Sequence, residues 1–224
     1  MSFIVGIDGP AGSGKGTIAK RIANELGLIN IDTGSTYRCV ALEVLNQKVL
    51  LNDKKKIINI AKNIQIDIQN KQDGDIVFLN GKDVTKDIRL KEVTKIVSPV
   101  SSIKEVRLIM VELQRKFAQG KNIIMEGRDI CTYVFPNADV KIYLDATLEQ
   151  RAKRRYKENQ EKNIKMTYKE VLENIKKRDE NDKNKEIGSL KMAKDSILID
   201  TTNLTIDEVV KKVIEIIKQA GEIK

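Results

Sequence analysis

The chain has 224 residues, 41% of them hydrophobic and 33% charged, a balance that predicts a soluble globular protein with one well-formed core. It has no histidine and only two cysteines, Cys39 and Cys131, far apart in sequence, which excludes an imidazole base, argues against a zinc cluster and favours the reducing cytoplasm. The apolar run at residues 3–7 is too short for a signal peptide or membrane span, and the net charge of +9 makes a nucleic-acid partner one hypothesis to weigh.

The most informative segment is residues 4–17, IVGIDGPAGSGKGT. Residues of high β propensity lead into a glycine-rich loop, and apolar residues at helical spacing follow, with Gly27 at the expected helix end. This context is typical of a phosphate-binding P-loop, in which backbone N–H groups and a helix N-terminus hold phosphate oxygens. Lys15 would reach the β and γ phosphates of a nucleoside triphosphate.

The loop departs from the usual pattern at one position, because Gly16 precedes the hydroxyl residue Thr17. The alternative interpretation is a glycine-rich turn that joins a strand to a helix without binding a ligand. The predicted phosphate-binding residues are Gly9, Pro10, Ala11, Gly12, Ser13, Gly14, Lys15, Gly16 and Thr17.

A small antiparallel sheet is predicted in residues 64–84, after a strand at 28–31 and a helix over about 36–45. Isoleucines alternate with polar residues at its start, Asp73-Gly74 can form a turn, and Asn80-Gly81 is a strong hairpin signal. We therefore expect this sheet as an insert in a chain that is otherwise α/β.

The remainder alternates helices with short apolar strands. Helical patterns begin near Lys91 and cover 103–119, and capping-box spacings at Thr147, Thr167 and Thr205 indicate three later helix starts. The predicted strands lie at 122–125, 140–144 and 197–200. Such alternation predicts a parallel sheet covered by helices on both faces.

Charged residues follow two of these strands directly. Glu126-Gly127-Arg128-Asp129 comes after one, while Asp32-Thr33-Gly34 and Arg38 come after another. Ligands of open parallel sheets bind beyond the carboxyl ends of the strands, so these residues would face the P-loop crevice, with Arg128 for an anion and Asp129 for a donor group. The alternative is that Arg128 and Asp129 pair with each other or with surface groups.

Two sets of anion-binding groups are thus predicted at one crevice: Lys15 with the loop amides, and Arg38 with Arg128. Together they could hold a triphosphate in line with a phosphate-bearing acceptor. Such an acceptor is already ionised near neutral pH and needs no base, so catalysis would consist of positioning and charge neutralisation.

Residues 151–194 contain fifteen Lys or Arg and eight Asp or Glu, which accounts for most of the positive charge. Arg151, Arg154 and Arg155 stand at the start of this segment. The segment is either a solvated helical face or a clamp on a polyphosphate, for which arginine is suited.

Several separated motifs closely resemble those of bacterial cytidylate kinases: 8–17, 28–38, 126–136, 151–155 and 178–184. The similarity runs from Phe3 to about Ile216. The resemblance implies transfer of the γ-phosphate of ATP to CMP or dCMP with Mg²⁺, by a protein of the cytoplasm that is typically a monomer. It also implies an α/β P-loop kinase fold with a five-stranded parallel sheet flanked by helices.

The implied organisation is a single P-loop kinase chain over 1–224. A CORE would comprise roughly 1–35, 104–150 and 195–224. The nucleoside monophosphate (NMP) region, roughly 36–103, would contain the antiparallel insert. A short helical LID, the mobile cover of such kinases, would take roughly 151–190.

The resemblance also implies roles for individual residues. Thr33, Arg107 and Asp129 match positions that contact cytosine, and Ser98, Arg178 and Asp182 match positions near the ribose. Arg38 and Arg128 match those that hold the acceptor phosphate. The predicted catalytic residues are Lys15, Arg128, Arg151, Arg154 and Arg155. Mg²⁺ would arrive with ATP, with Thr17 as a candidate contact and no separate metal site.

Three positions depart from the family pattern. Lys185 stands where arginine is common near the base, and it lacks the planar fork of arginine, so selectivity for cytosine over uracil stays open. Cys131 replaces a usual glycine, and Thr33 keeps the hydroxyl of the serine also found there.

Two other functions are weighed against this one. A P-loop kinase for UMP or another small acceptor differs only in base recognition. A nucleotide-dependent nucleic-acid-binding protein is disfavoured, because the positive surplus is local and aromatic residues are only 4% of the chain.

Overall fold

The computed structural model describes residues 2–71, 75–161 and 163–221. The strands are β1 (Ile4–Asp8), β2 (Ile29–Asp32), β3 (Ile66–Gln69), β4 (Ile76–Leu79), β5 (Lys82–Asp83), β6 (Ile123–Gly127), β7 (Val140–Asp145) and β8 (Ile197–Asp200). The helices are α1 (Lys15–Leu26), α2 (Thr33–Asn46), α3 (Lys54–Asn63), α4 (Lys91–Ser101), α5 (Lys104–Ala118), α6 (Leu148–Glu161), α7 (Tyr168–Lys183) and α8 (Ile206–Ala220).

Five parallel strands form the central sheet, in the order β2-β6-β1-β7-β8. The register places Val5 of β1 beside Ile124 of β6 on one side and Val140 of β7 on the other. Strands β1 and β6 are apolar along most of their length, as expected for strands buried on both faces, whereas β7 alternates buried apolar residues with partly buried Lys141, Tyr143 and Asp145. The predicted α/β fold with a five-stranded parallel sheet is confirmed.

The predicted antiparallel insert is also confirmed, as a three-stranded sheet in the order β3-β4-β5. Ile66 pairs with Leu79, and Asn80-Gly81 forms the hairpin between β4 and β5. Both turn residues have left-handed backbone angles, with φ of 51° and 80°, as this kind of two-residue turn requires. The predicted turn at Asp73-Gly74 lies outside the described residues.

The apolar core has separate parts. One packs α1 and α8 against a face of the central sheet. Another packs α5 and a π-helical turn at 130–134 against strands of the opposite face. A third joins α2, α3, α4 and α5 to the antiparallel sheet, and a small fourth holds α6 to α7.

Some local features differ from the sequence predictions. Helix α2 begins at Thr33 instead of near residue 36, and α3 and the π-helical turn were not predicted. A signal for α3 was present, because Asp53 accepts a 3.1 Å hydrogen bond from the N–H of Lys56 and apolar residues follow at helical spacing. Gly27 and Gly120 end α1 and α5 with φ of 67° and 69°, and the capping boxes at Thr167 and Thr205 are complete. Among the described residues, no helix combines the length and apolarity needed to cross a bilayer.

Candidate functional site

A cavity of about 810 Å³ lies along the carboxyl ends of β1, β2 and β6. Most of the residues predicted from sequence line it. They are Ala11, Gly12, Ser13, Gly14, Lys15, Gly16, Thr17, Thr33, Arg38, Ser98, Arg107, Arg128, Asp129, Arg154, Arg155, Arg178, Asp182 and Lys185. Gly9, Pro10 and Arg151 lie outside the lining.

The P-loop between β1 and α1 has the compact backbone that its glycines predict. Gly14 precedes α1 with φ of 96°, which favours glycine. A side chain at Gly9 would lie 3.1 Å from the carbonyl carbon of Leu144 and closer still to its oxygen, so the loop passes directly against β7. The loop is therefore shaped to bring successive N–H groups to an anion.

Lys15 is buried at the start of α1, and its Nζ donates to the carbonyl of Pro10 at 2.8 Å and to Oγ of Ser13 at 3.3 Å. Burial, and next the charge of Arg128, lower the pKa of Lys15 from 10.5 to about 7. A bound polyphosphate would favour the charged ammonium and oppose both effects. The ammonium thus lies folded back against the loop that it would serve.

Asp8 anchors the floor of the site. Its carboxylate accepts 2.8 Å hydrogen bonds from the N–H groups of Ile130 and Cys131, which ties β1 to the π-helical turn. Burial raises the pKa of Asp8 to about 6.

Cys131, which replaces a usual glycine, packs against Gly6: a Cβ added to Gly6 would lie 2.7 Å from Sγ of Cys131. The φ of Cys131 is not positive. Its backbone therefore has no requirement for glycine.

Arg107 and Asp129 form a buried ion pair in the lining of the cavity. Arg107 also donates to the carbonyl of Ser101 at 3.3 Å, and its guanidinium lies 5.2 Å from the centre of the Tyr37 ring. Nε of Arg107 and Oγ of Ser98 are buried and have no hydrogen-bond partner among the described residues. Buried polar atoms are normally paired, so these two are exceptions at this site.

Arg128 pairs with Asp182 and not with Asp129, which rejects that part of the alternative interpretation. Nε of Arg128 donates to Oδ2 of Asp182 at 2.9 Å, and Nζ of Lys185 donates to Oδ1 at 2.7 Å. Burial acts to raise the pKa of Asp182, but the charges of Arg128 and Lys185 outweigh it and hold that pKa well below its usual range. Lys185 is thus engaged by a carboxylate beside the predicted base pocket.

Positive charge is concentrated where Arg38, Arg128 and Arg178 line the cavity. Arg38 donates to the carbonyl of Ile88 and to Oγ1 of Thr94, both at 2.9 Å. Burial, followed by the charge of Arg178, lowers the pKa of Arg38 to about 10. Burial, followed by the charge of Arg128, also lowers the pKa of Arg178 to about 10. Cations that depress one another's pKa values would gain from a bound anion.

The three arginines of α6 have different surroundings. Arg151 is buried beside the P-loop, donates to the carbonyls of Ala146 at 2.9 Å and Ala11 at 3.1 Å, and pairs with Asp179. Arg154 donates to the hydroxyl and the carbonyl of Thr201. Arg155 pairs with Glu158 at 3.0 Å and is more exposed. Arg154 and Arg155 line the cavity, whereas Arg151 braces the loop from outside it.

Sequence reasoning assigned no role to four residues that contribute to the site: Asp179, Arg89, Tyr37 and Glu126. Arg89 reaches back from residues 87–89 to pair with Asp32 at 2.7 Å. Burial, and next the Asp32 carboxylate, raise the pKa of Glu126 to about 7. Tyr37 stood beside Arg38 in a noted motif, and Glu126 began another, so both had a signal. Asp179 lay within the motif at 178–184 and had a signal of the same kind, whereas Arg89 had none that local sequence could provide.

Side chains with oxygen atoms line the cavity beside the start of α1. Thr17 and Glu126 both line it, and an added Cβ at Gly16 would lie 3.3 Å from Oε1 of Glu126. Hydroxyl and carboxylate oxygens are ligands that suit Mg²⁺ or its bound water. No group of three or more carboxylate, cysteine or histidine side chains that could hold a metal occurs among the described residues. Thr17 and Glu126 are therefore residues here whose oxygens could contact such an ion.

Comparison with known proteins identifies the family. The sequence profile described as "Cytidylate kinase" matches residues 5–219. The chain belongs to the cytidylate kinase family. It is 48% identical over 225 residues to the cytidylate kinase of Caldanaerobacter subterraneus subsp. tengcongensis, covering 100% of this chain and 99% of that one. It is 49% identical over 209 residues to the cytidylate kinase of Fusobacterium nucleatum subsp. nucleatum, covering 93% and 94%.

The fold has a match among solved structures as well. The crystal structure of an uncharacterized protein from Eubacterium ventriosum has a TM-score of 0.55 and 15% identity, and the match covers 98% of this chain and 99% of that one. At this identity the likeness concerns the fold alone. The resemblance to cytidylate kinases drawn from the motifs is thus confirmed by the family profile and by close relatives.

Proposed function

We propose that this cytidylate kinase family member transfers the γ-phosphate of ATP to CMP or dCMP, giving ADP and CDP or dCDP. The observation that carries the proposal is one cavity lined by both the P-loop lysine and the buried Arg107–Asp129 pair. The curated relatives named cytidylate kinase, about half identical over nearly the whole chain, support the same activity.

ATP would bind with its phosphates in the P-loop. The loop amides and the N-terminus of α1 would hold the β and γ phosphates, with residues 9–17 in the roles predicted from sequence. Lys15 would leave the carbonyl of Pro10 and follow the transferred group, where its charge offsets charge that develops in the transition state. Thr17 and Glu126 would contribute oxygen groups to hold Mg²⁺, which would neutralise charge on the phosphates.

The acceptor base would meet Asp129. Among the hydrogen bonds of the described residues, Oδ2 of Asp129 accepts one from Arg107, and Oδ1 accepts none. A carboxylate oxygen accepts a hydrogen bond from the amino group of cytosine but faces a carbonyl oxygen in uracil. Thr33 and Arg107 would complete the contacts to the base, and Lys185 would reach it only after leaving Asp182.

The acceptor phosphate would lie among the arginines. Arg38 and Arg128 would bind it, and Ser98, Arg178 and Asp182 would lie toward the sugar. Planar guanidinium groups hold phosphate oxygens in pairs, so this set would both orient the nucleophilic oxygen and screen its charge from ATP. No proton acceptor is required, since the attacking phosphate is already ionised near neutral pH.

Each of the three proposed regions contains its own set of helices or strands. The CORE, roughly 1–35, 104–150 and 195–224, contains the strands of the parallel sheet, and the NMP region, roughly 36–103, contains the antiparallel sheet. The LID, roughly 151–190, contains most of α6 and all of α7, which share a small core of their own. LID closure would exclude water and bring Arg154 and Arg155 to the phosphates, which favours transfer over hydrolysis. We further propose a monomer of the cytoplasm without a nucleic-acid or membrane partner.

Coupled detection of ADP with ATP, Mg²⁺ and one acceptor at a time tests the proposal. CMP, dCMP, UMP and AMP are presented separately. We expect fast turnover with CMP and dCMP and slow turnover with the other two. Comparable turnover with UMP would retain the kinase but contradict the role of Asp129 in base selection. Absence of turnover with all four, from folded protein that binds ATP, would contradict the proposed acceptor site.

A further inference from the structure

Gly188 lies directly against the pair that is proposed to read the acceptor base. It belongs to the loop of residues 184–190, which follows α7. A Cβ built on Gly188 would lie 2.8 Å from Cγ of Asp129, and closer still to its Oδ2 and to Nη2 of Arg107. Real Cβ atoms do not approach other atoms this closely, so only glycine fits here unless the pair moves.

The pair has little room to move. Arg107 and Asp129 are 2% and 4% exposed, and they bind each other. Arg107 is fixed on a second side by the carbonyl of Ser101 and lies over the ring of Tyr37. Since well-packed interiors do not yield locally, a side chain at Gly188 would push the pair toward the open side, which is the cavity.

The loop is itself anchored on both sides of Gly188. The N–H of Leu190 donates to the carbonyl of Asp182 at 2.8 Å, and Glu186 pairs with Lys104 of α5 at 2.7 Å. Gly188 has a left-handed φ of 62°. The hydrogen bond of Leu190 therefore holds the loop over the pair without involving the pair, and the exposed Glu186–Lys104 contact adds little because solvent screens it.

We propose that Gly188 is a positioning residue for base selection. Its missing side chain lets the loop after α7 close onto the Arg107–Asp129 pair, and this closure fixes which oxygen of Asp129 faces the acceptor base. The proposal rests on the proposed function, because it concerns the same acceptor site. Gly188 is distant in sequence from the pair, yet it would influence whether the site prefers an amino or a carbonyl group on the base.

Gly188→Ala tests the proposal, and Gly120→Ala is its matched control. Gly120 has nearly the same backbone strain, with φ of 69°, but a Cβ there would meet nothing within 4 Å. Steady-state kinetics with CMP, UMP and ATP are measured for wild type and both variants. For Gly188→Ala we expect KM for CMP to rise by about tenfold or more, because displaced contacts lose their alignment, and the preference for CMP over UMP to fall. KM for ATP should stay within about twofold, as should all parameters of Gly120→Ala.

A double variant separates displacement of the pair from other effects. In an Asp129→Ala background the obstructed carboxylate is gone, so Gly188→Ala should add little to the loss of CMP binding. If Gly188→Ala alone fails to fold, recovery of folding in the double variant supports the proposal. A double variant that stays unfolded under conditions in which Asp129→Ala alone is folded overturns it.

The outcomes that contradict this inference differ from those that contradict the function. An active wild type whose KM for CMP and base preference are unchanged by Gly188→Ala would overturn the inference alone. Equal effects of Gly188→Ala and Gly120→Ala, or equal losses for CMP and ATP, would also overturn it. A wild type without CMP kinase activity would overturn both.

Discussion

Asp179 of α7 accepts a 3.2 Å hydrogen bond from the backbone N–H of Ala11 in the P-loop. Its other carboxylate oxygen pairs with the buried Arg151 of α6, which in turn donates to the carbonyl of Ala11. The N–H and the carbonyl of one P-loop residue are thus held by a buried ion pair between α6 and α7. The position of these helices is therefore coupled to the shape of the phosphate-binding loop.

Asp179→Ala should lower both stability and ATP binding. The substitution leaves Arg151 buried without its counter-charge, which costs about 3–5 kcal/mol of the free energy of unfolding. It also frees the N–H of Ala11, so KM for ATP should rise more than KM for CMP. Urea denaturation and steady-state kinetics measure the two effects. Asp207→Ala is the control, since its partner Arg21 is exposed and solvent screens the pair. Similar losses in the two variants would contradict the bracing role.

Lys15→Ala should reduce turnover and leave the fold intact. Loss of one preorganised charge at the transferred phosphate lowers kcat by about 10²-fold or more. The pKa of Lys15 is depressed by burial, so its removal should not destabilise the protein. We expect the same loss of turnover for Arg128→Ala. Lys116→Ala, on the exposed side of α5, is the control. Wild-type kcat in folded Lys15→Ala and Arg128→Ala would show that neither residue has the proposed role.

Asp129→Asn should change the choice of base more than ATP binding. An amide can donate to the carbonyl of uracil, whereas the carboxylate accepts from the amino group of cytosine. The ratio of kcat/KM for CMP to that for UMP should fall by about 1–3 kcal/mol in free-energy terms. Asp67→Asn, exposed on β3, serves as the control. A ratio equal to that of wild type would place base selection elsewhere.

Glu126→Gln should alter how stability depends on pH. The pKa of Glu126 rises from 4.5 to about 7 on folding. Between pH 4.5 and about 7 the unfolded chain has released a proton that the folded protein still holds. The free energy of unfolding therefore falls as the pH rises through this window, and the loss is complete above about pH 7. The glutamine variant should gain free energy of unfolding relative to wild type across this window, by at most about 1.4 kcal/mol per pH unit. Urea titrations at several pH values measure the gain, and a difference that is constant with pH would contradict it.

Much of the fold could be predicted because its signals are local. Glycine spacing and flanking periodicity identified the P-loop, and Asn80-Gly81 identified the hairpin of the insert. The π-helical turn could not be predicted, since it depends on hydrogen bonds to Asp8, more than a hundred residues earlier. Helix α3 was missed although Asp53 signalled its start.

The sequence by itself determined the family and most of the elements, and most of the residues that it predicted for the site line the cavity. Only the tertiary structure decided their partners: Asp182 for Arg128, Arg107 for Asp129, and Asp179 for Arg151. The physical reason is that the strength of an ion pair depends on distance and burial, and both are set by elements far apart in the chain. The space left beside Asp129 by Gly188 is of the same kind, because a missing side chain acquires meaning only from what folds against it.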